Sequence, residues 1–142
     1  MEVTNLDSMI ISYSKDIVQS YRPEKIKFDQ IKKVITANGY HYANHHFKEE
    51  YRSSENIVQG FNMIMIDVDE GVSLDAAKLL LSDYKCFFAT TKKHTDVMNR
   101  FRIIFPLTHE VKLGVEEYSK FMANVFAWLP FKVDSAPKDI AR

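Results

Sequence analysis

The sequence has little cysteine and no excess of charge of either sign. Cys86 is the single cysteine, so no disulfide can form within the chain. Its place in the apolar run "CFFATT" predicts a buried thiol. Lysine and arginine total 19 and aspartate and glutamate also total 19, which gives a formal net charge of zero. Proteins that hold nucleic acid mainly by bulk charge are usually basic. Any such binding must therefore depend on a local patch, and we expect the isolated domain to bind nucleic acid weakly.

The sequence also lacks long apolar runs, internal repeats and low-complexity segments. No apolar run reaches the length that spans a membrane, and no signal-peptide pattern is visible. These absences predict a cytoplasmic protein that contacts no membrane. The 142 residues suit one domain, and a content of 46% apolar residues supplies the material for a core. We therefore expect a single globular domain over residues 1–142.

Strand-like and helix-like patterns alternate along the chain, joined by short connections. Strands are predicted at residues 9–14, 61–68, 85–91 and 100–107, with a short strand or hairpin within 40–54. Pro106 is expected to close the last of these strands. Helices are predicted at 28–39, at 73–84 with Ser73 as the N-cap, and at 115–129, before an extended end over 130–142. This order predicts an α/β fold of the α+β kind, with helices packed against a small mixed sheet.

Two aspartates follow a run of four apolar residues in "MIMIDVDEG", at positions 67 and 69. Residues i and i+2 of a strand point to the same face, so Asp67 and Asp69 bring two negative charges together. This costs free energy unless a cation lies nearby, and Mg²⁺ and Mn²⁺ prefer carboxylate oxygens. A third carboxylate would allow two ions to bind about 3.5–4 Å apart for phosphoryl transfer. Asp134 is the candidate, because "FKVD" repeats the pattern; the alternative is a strand end with two solvated aspartates.

Basic side chains follow in "TTKKHTDVMNRFR", which connects two apolar strands. Lys92, Lys93 and His94 are predicted to lie on the loop, where they could neutralise and hydrogen-bond phosphate oxygens. Arg100 and Arg102 share one face of the next strand, a pattern that suits anion recognition. A solvated basic loop and outward-facing arginines are the alternatives. Acids on one strand and cations on its neighbours together indicate a site that handles phosphate.

These motifs resemble those of the archaeo-eukaryotic primase (AEP) superfamily, closest to the primase-polymerase domains of phages and plasmids. The resemblance rests on "MIMIDVDEG", "TTKKH" leading into "NRFRIIFPL", and "VDSAPKDIAR", and covers roughly residues 57–142, with 1–56 as a variable N-terminal part. It implies an RRM-like catalytic core and a site of two Mg²⁺ or Mn²⁺ ions without an organic cofactor. The implied roles are metal binding by Asp67, Asp69 and Asp134, triphosphate binding by His94, and phosphate contacts by Arg100, Arg102 and Arg142.

The sequence departs from the family two places before the histidine, where a small residue is usual and Lys92 stands here. Thr90 and Thr91 lie just upstream and are candidates for the missing hydroxyl contact. Lys92 and Lys93 become candidates for the same phosphate. The departure does not affect the carboxylates.

The resemblance implies template-directed nucleotidyl transfer by a DNA primase-polymerase during replication of a mobile element. The implied partners are nucleoside triphosphates, a single-stranded DNA template and primer, and a helicase domain in the same polypeptide. The chain ends at Arg142 without a completing element, so we expect the N-terminal part of a longer protein. A monomer is expected, and the fragment alone could be weakly active or inactive.

Two other functions remain open. In a phosphohydrolase similar to haloacid dehalogenases, Asp67 would be the nucleophile and "CFFATT" would supply a threonine from the next strand. A non-catalytic module that binds nucleotide or nucleic acid is the second. Tyr40, Tyr42 and Phe47 are candidates for stacking template bases, although packing is the favoured interpretation. His41 and His45 have the helical spacing of a zinc site, although packed or solvated histidines are favoured.

Overall fold

The computed structural model describes residues 3–133, and these residues form an α+β fold, which confirms the predicted class. The helices are α1 Phe28–Ile35, α2 Leu74–Leu80 and α3 Val115–Trp128. Two short 3₁₀ turns lie at Lys48–Glu50 and Ser54–Asn56. The strands are β1 Met9–Ser14, β2 Arg22–Ile26, β3 His41–Ala43, β4 His46–Phe47, β5 Ile57–Val58, β6 Phe61–Val68, β7 Phe87–Thr90 and β8 Phe101–Val111. No helix within 3–133 is long and apolar enough to cross a membrane.

The strands form three small sheets with the orders β2-β1-β3, β4-β5 and β6-β8-β7. Each pairing among residues 3–133 is antiparallel, which differs from the mixed sheet that the sequence predicted. Parallel pairing would need a crossover that returns each strand to the same end of the sheet. Here β8 instead runs back between β6 and β7. The strand that carries the aspartates is therefore the direct neighbour of the strand that carries the arginines.

The sheet β6-β8-β7 separates two apolar clusters. Alternate residues of β6, Ile64 and Ile66 among them, pack with α2 and α3 on one face. Met63 packs with β1 and α1 on the other face. Since side chains of a strand alternate between faces, Met65 and Asp67 continue the face of Met63. Asp67 thus lies where this second cluster gives way to a more open surface.

Strand β8 runs through Pro106 to Val111, so the prediction that Pro106 ends it is wrong. Pro106 is paired with Met63, beside a register shift between Phe61 and Met63 in β6. The pairing advances from Phe61 to Met63 in β6 but from Val111 to Pro106 in β8, so the extra residues of this bulge lie in β8 itself. A proline cannot donate a ladder hydrogen bond, and the edge of a bulge is a place where this loss is tolerated.

Three further details differ from the sequence prediction. Strand β2 was not predicted; it lies at the edge of its sheet and carries Pro23 and several charged residues. Helix α2 ends at Leu80 rather than near residue 84, although Ser73 caps it as predicted, its hydroxyl accepting from the Ala76 backbone N–H at 3.1 Å. Cys86 packs against the cluster of α2 and α3 but is only half-buried, and this burial raises the pKa of its thiol.

Candidate functional site

Two rows of polar and charged residues cross the central sheet on the face of Met65. Asp67 pairs in register with Arg102, and Arg102 in turn pairs with Ala89. Asp69 directly follows β6 and Arg100 directly precedes β8, and both line the same cleft as Asp67 and Arg102. The backbone N–H of Thr91 donates to the carbonyl of Arg100 at 3.0 Å, which fixes the start of the basic loop at this second row. Antiparallel pairing thus brings together the acids and arginines predicted from the sequence.

An open cleft of about 810 Å³ lies over these rows. One wall is the connection between α1 and β3, residues 36–40, and the other is the start of the basic loop. The predicted site residues that line it are Asp67, Asp69, Lys92, Lys93, Arg100 and Arg102. His94 is not among its lining residues. Asp134 and Arg142 lie outside the described residues.

Arg102 holds the carboxylate of Asp67 with two parallel hydrogen bonds. Its Nε donates to Oδ1, and its Nη2 donates to Oδ2 at 3.1 Å. The Arg102 side chain is 25% exposed and that of Asp67 is 40% exposed. Burial alone would lower the pKa of Arg102, but the contacts with Asp67 and Tyr42 outweigh burial and raise it. The guanidinium therefore stays charged and is the counter-ion of Asp67 in this structure.

Tyr42 completes this arrangement from the N-terminal sheet. The guanidinium carbon of Arg102 lies 4.8 Å from the centroid of the Tyr42 ring, a cation–π distance. Burial raises the pKa of the Tyr42 hydroxyl, so it stays neutral at physiological pH. The sequence prediction treated Tyr42 as packing or as a base-stacking residue, and missed this contact because β3 and β8 are far apart in the chain.

Three of the other cations of the cleft have no acidic partner among residues 3–133. Arg100, Lys92 and Lys93 form no ion pair with any residue between 3 and 133, where the two pairs are Arg102–Asp67 and Arg22–Glu24. Both lysines are exposed and Arg100 is half-buried. Three positive charges on one side of the cleft are thus available to an anionic ligand.

His94 is fixed by its own loop. Its Nδ1 accepts a hydrogen bond from the backbone N–H of Arg100 at 3.0 Å, and its backbone N–H donates to the carbonyl of Thr91, also at 3.0 Å. An Nδ1 that accepts leaves the proton of the neutral ring on Nε2. His94 can therefore present an Nε2–H donor at the end of the second row.

Asn99 anchors the same loop and was not predicted from the sequence. Its Oδ1 accepts from the backbone N–H of Leu74 at 2.8 Å, at the start of α2, and its Nδ2 donates to the carbonyl of Thr95 at 3.0 Å. A side chain that caps a helix 25 residues away leaves no local pattern in the sequence. Asn99 connects the loop of Lys92, Lys93 and His94 to the rigid helix layer.

The two described carboxylates fit one mode of Mg²⁺ binding. Magnesium is commonly held by one or two carboxylates, with water and substrate phosphates as its other ligands. Asp69 is exposed and forms no hydrogen bond or ion pair with residues 3–133. Each oxygen of Asp67 has a second lone pair beside the one that Arg102 uses. Within the described residues no group of three or more acidic, histidine or cysteine side chains could hold a metal without such a substrate.

The aromatic and histidine candidates of the N-terminal part are mostly packed. Phe47 is buried against the ring of Tyr21. Tyr40 meets Tyr13 edge-on at the wall of the cleft. His41 lies in β3 and His45 just before β4, so they do not have the helical spacing considered for zinc, and no metal-binding group was found in the described part of the chain.

Comparisons with known proteins give one distant likeness. No protein-family model matches the chain, and no curated protein matches it. Among solved structures, the AEP domain of the cyanophage S-2L primase-polymerase aligns with 98% of this chain and 72% of its own length. The TM-score is 0.49 and the sequence identity is 10%. A likeness of this size does not assign the chain to a family.

Proposed function

We propose that the protein is a nucleotidyltransferase of the primase-polymerase type, which joins nucleoside triphosphates on a DNA template. The observation that carries this proposal is the pairing of an acidic strand with a basic strand beneath one open cleft. A triphosphate carries several negative charges, and the cleft offers Arg100, Lys92 and Lys93, which have no acidic partner in the described part of the chain. The sequence motifs around Asp67 and His94 agree with this function.

The cations would bind and orient the triphosphate. Arginine matches phosphate oxygens with two parallel N–H groups, and lysines add point charges. The Nε2–H of His94 would donate a hydrogen bond to a phosphate oxygen at the rim of the cleft. These groups stabilise the negative charge that develops when the 3′ oxygen attacks the α-phosphorus and pyrophosphate leaves.

The carboxylates would hold the divalent ions that such a reaction uses. Asp67, Asp69 and Asp134 would bind Mg²⁺ or Mn²⁺, and the bound ions supply positive charge at the triphosphate and lower the pKa of the attacking hydroxyl. Asp69 has open coordination positions, whereas Asp67 would have to bind beside or in place of Arg102. The polymer substrates would be a single-stranded DNA template and a primer. A helicase domain of the same polypeptide would be a further partner, and we expect the protein to be a monomer.

The phosphohydrolase alternative receives less support from the geometry. In that alternative Asp67 would be the nucleophile, and Arg102 holds both of its oxygens before substrate binds. That alternative also needs the threonine of the next strand near Asp67. Strand β8 separates β7, which ends at Thr90, from β6.

Polymer synthesis tests the proposal. The protein is incubated with labelled dNTPs or NTPs, Mg²⁺ or Mn²⁺, and single-stranded DNA with and without a primer. We expect labelled polymer that is lost in Asp67→Asn with Asp69→Asn and kept in Asp83→Asn, the same change on an exposed residue outside the lining of the cleft. Product without a primer would identify a primase.

Two outcomes would contradict the proposal. Release of inorganic phosphate without polymer, dependent on Asp67, would identify a phosphohydrolase. Tight binding of nucleotide without either product, from this chain and from a C-terminally extended one, would identify a binding module.

A further inference from the structure

Asp67 already has a cation in this structure, and that cation belongs to the protein. Arg102 lies directly opposite it on the neighbouring strand and engages both carboxylate oxygens. Asp69, the next acid of the same face, has no such partner among residues 3–133. The two aspartates of the motif are therefore in different electrostatic states before any ligand binds.

We propose that Arg102 is a built-in counter-ion of Asp67 that keeps the divalent-ion site weak until the phosphates of a nucleotide bind the guanidinium. This inference rests on the proposed function of the same cleft. Arg102 would contact Asp67 before the nucleotide binds and the phosphates afterwards. The sequence prediction gave it a direct phosphate contact; here that contact forms only when the nucleotide arrives.

Repulsion between like charges is the first part of the argument. A divalent ion bound to Asp67 would lie within a few ångströms of a guanidinium that is three-quarters buried. At such separations in a half-buried site, the repulsion is much stronger than in bulk water. An ion that enters without nucleotide must also compete for the carboxylate oxygens that Arg102 holds. Both effects weaken binding of the ion alone.

The second part is that phosphate can replace the carboxylate. The two parallel N–H groups that grip Asp67 match two oxygens of a phosphate equally well. Arg100 lines the same cleft and has no acidic partner between residues 3 and 133. It can hold the nucleotide while the guanidinium of Arg102 changes partner. Release of Asp67 then completes the ion site at the moment when the triphosphate is present.

Tyr42 makes this exchange possible without loss of the guanidinium's position. Its ring lies 4.8 Å from the guanidinium carbon and belongs to a different sheet. A cation–π attraction to the ring does not require the Nε–H and Nη2–H groups that Arg102 donates to Asp67, so these two groups can change partner while the contact with Tyr42 persists. The stack on Tyr42 therefore holds Arg102 in the cleft in both states. Metal and nucleotide would bind with positive coupling, which must be reciprocal.

Binding of Mn²⁺ alone is the test. Electron paramagnetic resonance or calorimetry gives the Mn²⁺ affinity of the wild type, Arg102→Gln and Arg22→Gln, without nucleotide. Arg22→Gln removes the same charge from an exposed position in β2. We expect Arg102→Gln to bind Mn²⁺ about tenfold more tightly than the wild type, a typical coupling between sites, and Arg22→Gln to match the wild type. Equal or weaker binding by a folded Arg102→Gln would overturn the inference, as would no binding by either protein.

A non-hydrolysable nucleoside triphosphate provides the second arm. Its presence should strengthen Mn²⁺ binding more in the wild type than in Arg102→Gln, because only the wild type has an internal cation to release. Equal strengthening would overturn the inference. If Arg102→Gln fails to fold, Arg102→Lys takes its place, because a lysine cannot donate two parallel hydrogen bonds to the carboxylate of Asp67. We expect Arg102→Lys to bind Mn²⁺ more tightly than the wild type. Weaker binding by Arg102→Lys would overturn the inference.

The outcome is independent of polymer synthesis. If Arg102→Gln binds Mn²⁺ more tightly than the wild type but no polymer is made, the proposed function is refuted and the inference about Arg102 stands. A protein that makes polymer without the Arg102 effect would refute this inference alone.

Discussion

Asp67 differs from the other ionised side chains of the cleft because both of its oxygens are engaged by one guanidinium. The pair joins adjacent strands and is partly buried. The second ion pair of the described chain, Arg22–Glu24, has one contact of 3.8 Å and a 71% exposed arginine. Exposed pairs with one contact contribute little to stability, whereas two-point contacts on a rigid sheet contribute more.

A double-mutant cycle should measure this difference. For Asp67→Asn with Arg102→Gln we expect a coupling free energy of about 1 kcal/mol or more in urea unfolding. For Glu24→Gln with Arg22→Gln we expect less than about 0.5 kcal/mol. Similar values for the two pairs would show that the contact with Asp67 does not hold in solution.

His45 is a neutral histidine in the core. It is fully buried beside the rings of Phe61 and Tyr118. Its Nδ1 lies 3.0 Å from Oδ1 of Asn44, and its Nε2 has no hydrogen-bond partner among residues 3–133. The amide of Asn44 donates through Nδ2 to the Met63 carbonyl, so its Oδ1 accepts and Nδ1 of His45 carries the proton. Burial first, and the nearby His46 second, lower the pKa of His45 from 6.5 to about 4.

The lowered pKa of His45 predicts loss of stability in mild acid. The unfolded chain takes up this proton below a pH of about 6.5, while the folded protein resists it down to about 4. Stability is therefore complete above the first value and falls towards the second, by about 3 kcal/mol at most. Urea unfolding between these pH values should show the slope. His45→Gln should flatten it, and His41→Gln, on an exposed site, should not; an equal slope in His45→Gln would contradict the assignment.

At the scale of elements, the basic loop depends on α2. Asn99 accepts from the backbone N–H of Leu74, and Ser73 accepts from that of Ala76, so each side chain satisfies one free N–H at the start of α2. Only Asn99 also holds the loop, through the carbonyl of Thr95. Substitutions of Asn99 and Ser73 can therefore be compared: both should destabilise the start of α2, but only the substitution of Asn99 should also release the basic loop.

Asn99→Ala and Ser73→Ala should each lower the free energy of unfolding by about 1 kcal/mol, the usual effect of removing a cap. Asn99→Ala alone should speed amide exchange over residues 92–98 and weaken binding of a triphosphate, because Lys92, Lys93 and His94 lose their fixed positions. Equal exchange of this segment in the two variants would show that Asn99 does not order the loop.

A second element carries backbone strain. Glu49 and Glu50 have φ values of 56° and 55°, in the left-handed region that favours glycine. Glu49→Gly or Glu50→Gly should raise the free energy of unfolding by about 0.5–1 kcal/mol, the cost of this conformation less the entropy cost of glycine. Glu55→Gly, at an exposed position without positive φ, should not stabilise the protein. A loss of stability in both strained variants would indicate that the glutamate side chains form contacts in solution.

The elements that the sequence predicted well are those with a strong local pattern. Strands β1 and β6 have the predicted bounds, because their apolar runs end at polar residues. Strand β2 has few apolar residues, since it is an edge strand and most of its residues are exposed. The continuation of β8 through Pro106 accompanies a bulge in β8, whose position is visible only from the pairing of Val111 and Pro106 with Phe61 and Met63 of β6. The local pattern of apolar residues thus predicts that a strand or helix exists, whereas the strands with which it pairs decide where it ends.

At the scale of the whole molecule, a chain without net charge brings three cations to one side of one cleft. These are Arg100, Lys92 and Lys93, which have no acidic partner among the described residues. The sequence predicted which residues would be charged and on which face of each strand. It could not predict that β6 and β8 pair in the register that joins Asp67 to Arg102, because 35 residues separate them. The sequence also could not show that Arg102 forms an ion pair whereas Arg100 forms none among residues 3–133. The difference is that Asp67 lies opposite Arg102 on the neighbouring strand. The composition of the site was predictable, and its internal pairing was not.

This distribution of charge predicts that the affinity for a triphosphate depends on salt concentration, and that the cations of the cleft cause this dependence. Affinity should fall as ionic strength rises to physiological values, since half-exposed charges are screened over about 8 Å. Lys92→Gln with Lys93→Gln should reduce this dependence, while Lys32→Gln with Lys33→Gln, the same change on α1, should not. The same salt dependence in both double variants would place the anion elsewhere on the surface.

The most direct test of the account is the position of Mn²⁺ in crystals grown with Mn²⁺ and a non-hydrolysable nucleoside triphosphate. Anomalous scattering locates the ion without reference to activity. We expect a peak within coordination distance of Asp67 and Asp69, with phosphate oxygens at Arg100 and the guanidinium of Arg102 turned from Asp67 towards the phosphates. An ordered nucleotide in another place, or a cleft in which Arg102 still holds Asp67 and no ion is bound, would contradict it.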